Sequence, residues 1–160
     1  MSSFHIVQIS EKPINRNGYI TPADFSDLLD QDPLVAARAD YFYEPGETET
    51  GGEALEAVRR ELAPLGEVDL KRRTLTFRDK SVLVREYGRF MAGKWESHLK
   101  SLSGGTCRWW DLHRDIEDVF GIDCLFHLSY AKTSAYVLSD YVNGYLPQTV
   151  HIGEILTAHC

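Results

Sequence analysis

Nothing in this 160-residue chain reads as a route across a membrane. No apolar run approaches the ~18–20 residues that a bilayer-spanning helix needs. The start, Met1-Ser-Ser-Phe-His-Ile-Val-Gln-Ile-Ser10, lacks the basic segment and long apolar stretch of an export signal. Cysteine is scarce, at three residues, an odd number too small for a disulfide framework. These absences predict a cytoplasmic protein with reduced thiols and no membrane contact. Chemistry-bearing motifs are missing too: there is no G-x-S-x-G elbow, no G-x-G-x-x-G and no G-x-x-x-x-G-K phosphate loop. No internal repeat or low-complexity segment is present.

What is present has the composition of an ordinary folded domain. Hydrophobic residues make up 43% and charged residues 26%, outside the disordered range. A chain of this length is about one domain and hides roughly 70% of the surface that its unfolded form exposes. Residues 1–160 are therefore read as one globular unit.

Charge is unevenly distributed. Glu11 to Glu56 holds eleven acidic and three basic residues, Ala57 to Arg114 holds thirteen basic and seven acidic, and Asp115 to Cys160 holds six acidic and one basic. A basic middle between acidic flanks suits a polyanion or an acidic protein partner, or a fold in which the blocks neutralise each other. The net charge of −7 disfavours nucleic acid, so a protein partner is the expectation; the oligomeric state is not legible.

Periodicity gives mixed helix and strand. Phe4 to Ile9, Ala39 to Tyr43, Val68 to Phe77 (one bent strand or a hairpin turning at 71–73), Cys124 to Tyr130, Ala135 to Leu138 and Val150 to Leu156 read as strands. Helices are expected from Thr21, over Glu53 to Leu65, from an N-cap at Asp79 to about Leu102, around Trp109 to Val119, and from Ser139 to about Leu146. Residues 45–52, polar and glycine-bearing, are expected to be a mobile loop. At 100° per residue, Leu83, Val84, Tyr87, Phe90, Met91, Trp95, His98, Leu99 and Leu102 share one side of the long helix, which predicts a buried face there. The element order, with a late hairpin, predicts an α+β fold. A mixed or mainly antiparallel sheet should pack against several helices, including the long amphipathic one over about 79–102.

The candidate sites are few. The basic stretch 71–114 offers a contact surface in Arg72, Arg73, Arg85, Arg89, Arg108 and Arg114, with Trp110 beside them, because arginine and tryptophan dominate binding hot spots. Against a phosphate-binding use, Glu86 and Glu96 lie on the same helix surface. Cys107, His98, His113 and His127 are the residues from which a small catalytic site could be assembled. Cys107 precedes a helix whose dipole would lower a thiol pKa, but His113 lies roughly 240° around from it and is not placed to act as its base. Cys107, His113, Cys124 and His127 match no zinc spacing, and Cys124 and His127, an odd number apart in a strand, should point to opposite faces. No metal and no cofactor are expected. His98, on the apolar face of the long helix, reads first as a hydrogen-bonded structural histidine. The sequence thus favours a binding or regulatory module without a catalytic centre, contacting a partner through residues 71–114. The alternative is a small enzyme using Cys and His residues of the 98–127 region.

Overall fold

A computed structural model describes residues 3–26, 33–36, 38–43, 51–106, 108, 111–112, 115–116 and 118–159. Its centre is β1 (Ser3–Ser10), buried from Phe4 to Ile9. A strand covered on both faces calls for a near-continuous apolar run in place of alternation, and F-H-I-V-Q-I supplies it apart from His5 and Gln8. Each of those two is buried with partners, as a buried polar group must be. Gln8 donates to the Gly18 carbonyl at 2.9 Å, and its own carbonyl accepts from Ile20 N–H at 3.2 Å and Glu154 N–H at 3.1 Å. His5 reaches Glu61.

Around β1 the sheet grows in both directions. β7 (Thr149–His159) runs antiparallel along one edge of β1 and β5 (Cys124–His127) runs parallel along the other. β6 (Ala131–Thr133) pairs with β5. Beyond β7 lie β4 (Thr74–Phe77) and then β3 (Gly66–Asp69), while the two residues of β2 (Tyr41–Phe42) share the outer edge of β7 with β4. The order is β3-β4-β7-β1-β5-β6, and β1–β5 is the parallel pair in a sheet otherwise antiparallel. The α+β expectation holds.

Both faces of the sheet are covered. On one, Phe4, Ile6, Leu125, Leu156 and Ala158 pack with Ile20, Phe25, Val35 and Ala39, drawn from and around α1 (Pro22–Ser26) and α2 (Pro33–Ala36). On the other, Val7, Ile9, Leu75, Phe77, Cys124, Phe126 and Val150 meet α3 (Gly51–Glu61), α4 (Lys80–Ser103) and α5 (Ser134–Val142). α3 contributes Ala54, Leu55 and Val58, and α5 contributes Val137, Leu138 and Tyr141. Hydrophobic patterning thus builds a three-layer core, with the sheet in the middle.

Several local expectations resolve or change. Residues 68–77 form the hairpin: Asp69 accepts from the N–H groups of Lys71 and Arg72 at 2.9 Å, and Arg73 takes a left-handed φ of 51° to close the turn. Ala135–Leu138 is helix and not strand, because Thr133 caps it, accepting from Tyr136 N–H, and Val137, Leu138 and Tyr141 then face the core together. Of the expected mobile loop, Gly51 and Gly52 are the first turn of α3, while 45–50 lie outside the described residues. Asp79 caps α4 as the sequence predicts, accepting from the N–H groups of Ser81 and Val82.

The broad apolar face of α4 is where the structure departs most from the sequence. Leu83 is the one residue of α4 that is fully buried. Tyr87 and Phe90 rest half-buried against Phe120, with ring centroids 5.9 and 5.5 Å away. Val84 (53%), Trp95 (42%) and Leu99 (60%) are exposed, as is Leu102. The physical reason is geometric. The apolar positions span about half the helix circumference, and a 24-residue helix is roughly 36 Å long, so the core covers only one side of its first half.

Candidate functional site

The exposed side of α4 is therefore the feature to build from. Val84, Gly88, Met91, Trp95, His98 and Leu102 follow one another at intervals of four, three, four, three and four. This alternation repeats every seven residues, the spacing of a seam that another rod can lie along. Leu99 sits at its edge. Towards its C-terminal end the seam meets residues 111–112 and 115–116, both helical. Between them is a shallow depression, too open to enclose even a water molecule, lined by Met91, Lys94, Trp95, His98, Leu112, Asp115 and Ile116. Small-molecule sites run to roughly 300–1,000 Å³, and this depression encloses no such space.

The polar groups at this hollow are already engaged. His98 Nε2 donates to Asp115 Oδ2 at 2.8 Å, and the ring meets Trp95 edge-on at 6.4 Å. Lys94 pairs with Asp118 at 2.7 Å and lies 3.8 Å from Asp115, with the Phe90 ring beneath it. His98 is thus a hydrogen-bonded wall of the hollow, with its Nε2 proton committed to a carboxylate.

Further along the same helix, Glu86 pairs with Arg78 at 2.6 Å and Glu96 with Lys100 at 3.3 Å. Arg85, Arg89 and Arg108 are exposed and form no ion pair among the described residues.

The other residues singled out by the sequence fall elsewhere. Arg72 projects from the β3–β4 turn, 3.8 Å from Asp69. Arg73 is turned inward: its guanidinium donates to the carbonyls of Gly153 and Ile152 and lies over the Tyr19 ring, so it clamps the hairpin to β7. Cys124 and His127 point to opposite faces, Cys124 into the helix-covered core and His127 edge-on to Phe25 at 5.4 Å. Cys107, Trp110, His113 and Arg114 lie outside the described residues.

One polar constellation escaped the sequence reading. Glu61, at the end of α3, accepts from His5 Nδ1 at 3.1 Å and from the Cys124 thiol at 2.6 Å. His5 and Cys124 are register partners on β1 and β5, so the sheet itself places them side by side. Burial raises the Glu61 pKa, but the hydrogen bonds from His5 and Cys124 outweigh it and hold the carboxyl below its ordinary value. Burial first, and then the Glu61 charge, push the Cys124 thiol well above its ordinary value. The thiol is consequently a protonated donor, the opposite of the activated thiolate that nucleophilic catalysis needs. Among the described residues no group of three His, Cys, Asp or Glu side chains is arranged to hold a metal ion. The trio ties α3 to the centre of the sheet. The sequence carries one signal of it, a histidine inside a mainly apolar strand, but its partner lies 56 residues away.

Compared with family models, curated proteins and solved structures, the chain matches none.

Proposed function

We propose that this chain is a protein-binding module whose contact surface is the solvent side of α4 with the adjoining Leu112, Asp115 and Ile116. The observation that carries the reading is the exposure of Val84, Trp95, Leu99 and Leu102 in register along one helix. Contiguous apolar surface rimmed by charge marks interaction sites, and tryptophan and arginine at such a surface are the side chains that contribute most to binding. The basic segment anticipated as the contact region enters through Arg85, Arg89 and Arg108.

Neither alternative finds comparable support. For an enzyme, the hollow at His98 is too small for a typical substrate, and the described thiol is buried and protonated. For a polyanion site, Glu86 and Glu96 interrupt the cations along the helix. A cytoplasmic setting belongs to the proposal, since it keeps a free thiol such as Cys124 reduced. No helix among the described residues is long and apolar enough to cross a membrane.

The test is affinity capture of the tagged chain from its own host cells, compared with Leu99→Asp and with Tyr145→Asp, a control at an exposed tyrosine on the loop after α5. The proposal expects at least one protein captured by the parent chain and by Tyr145→Asp but lost, tenfold or more, with Leu99→Asp. An identical set of captured proteins for all three refutes it.

A further inference from the structure

The geometry of this surface narrows what covers it. We infer that the occupant is an amphipathic helix of a partner protein, apolar along one side and acidic along the edge that meets Arg85 and Arg89. This rests on the protein-binding reading of α4 and specifies the partner's chemistry.

Three observations converge on it. First, the seam repeats every seven residues along one helix, and its surface is built mainly of side chains. A helix offers a docking partner no free backbone N–H or C=O along its flank, because its own ladder engages them. An extended peptide laid there would bury backbone groups without partners, whereas a helix arrives with its hydrogen bonds already made. Second, Met91, Trp95, Leu112 and Ile116 line a shallow depression at one end of the seam, an apolar surface against which the side chains of an incoming helix can pack. Third, the charge is one-sided. Glu86, Glu96, Asp115 and Asp118 are each paired within the chain, while Arg85 and Arg89 have no ion-pair partner among the described residues. Apart from the longer-range attraction between Arg85 and Asp79, this edge of the surface is positive, and complementary charge both steers association and fixes register.

A second copy of this chain fits less well. Laid parallel, it sets Arg85 and Arg89 against the same residues of its twin. Laid antiparallel about the middle of the seam, it brings Arg85 against the turn that carries Lys100, whose own acid, Glu96, is already taken.

The test is site-specific photo-crosslinking of the full chain in its host cells, with p-benzoylphenylalanine introduced singly at Val84 and at Leu99, and mass-spectrometric mapping of the adducts. Those positions lie about 22 Å apart along the helix axis. A docked helix places its two crosslinked residues about 15 positions apart in one segment; an extended segment places them about 7 apart. The expected result is the wider spacing, within a segment bearing Asp or Glu. The pair Arg85→Glu with Arg89→Glu should lower adduct yield about tenfold, with the circular dichroism spectrum unchanged. Adducts on a second copy, adducts on nucleic acid, the narrower spacing, or a yield indifferent to the charge reversal would each overturn the inference and leave the protein-binding reading to its own test where a protein is captured. No adduct at either position would overturn both.

Discussion

Leu83 and Leu99 lie on the same helix, four and a half turns apart, and share the apolar side that the sequence assigns to the core. The structure separates them: Leu83 is 0% exposed and Leu99 is 60% exposed. Replacing each by alanine turns that difference into free energy. At Leu83 the removed atoms lose their full transfer free energy and leave a cavity between α4 and the sheet, a change that costs about 2–5 kcal/mol. At Leu99 only about two fifths of the side chain is covered, so of the roughly 1.5–3 kcal/mol that full burial is worth, about 1 kcal/mol or less is lost. Alanine's slightly better helix propensity offsets part of even that. Urea unfolding followed by circular dichroism should show the midpoint falling far more for Leu83→Ala than for Leu99→Ala, with the slope unchanged. In a thermal scan, at roughly 2–4 °C per kcal/mol for a chain of this size, the first variant loses about 5–15 °C and the second only a few degrees. Equal destabilisation by the two substitutions would refute the orientation of α4 and, with it, the exposed seam.

Two further expectations test the centre of the sheet. A side chain at Gly153 would meet the Gln8 carboxamide and the tip of Ile14, so Gly153→Ala should displace Gln8 and strand the buried Ile20 N–H that it accepts from. At about 1–3 kcal/mol for an unsatisfied buried group plus the other lost bonds, the cost should exceed 2 kcal/mol in urea unfolding. It should shrink when Gln8→Ala is already present, and strictly additive costs would count against this contact. The His5–Glu61–Cys124 trio predicts a pH profile with two limbs. The Glu61 carboxyl is held below its ordinary 4.5, so its contribution is present above pH 4.5 and disappears as the pH falls through the lower folded value; Glu61→Gln should flatten that acid limb. The Cys124 thiol is held above its ordinary 9.0, so its contribution is intact below pH 9.0 and declines as the pH rises beyond it. Cys124→Ala should remove that part of the alkaline limb, and a Cys124 thiol that reacts rapidly with a thiol reagent in the folded protein at neutral pH would contradict its burial.

The helices and strands that the sequence displayed well are those whose burial follows from local pattern. β1 announces itself by an apolar run with two polar interruptions, and α4 by its periodicity and the Asp79 cap. Thr133 shows the limit of the same logic: a cap and a turn residue look alike in sequence, and the segment after it, which reads as strand, is helix with Val137, Leu138 and Tyr141 buried together. Of the candidate surface, Arg85 and Arg89 were legible as a one-turn pair, whereas the inward clamp of Arg73 depends on β7, some 80 positions later.

By itself, then, the sequence determined which residues are apolar, where α4 starts and the α+β class, because those depend on neighbours within a turn or a strand. It also determined that Cys124 and His127 diverge, since strand pleat alone fixes that. Only the tertiary structure decided which half of α4's apolar face is covered and that His5, Glu61 and Cys124 meet. An amphipathic pattern states that a face seeks burial, but whether its own sheet is long enough to cover it depends on the lengths and placement of elements far away in the chain.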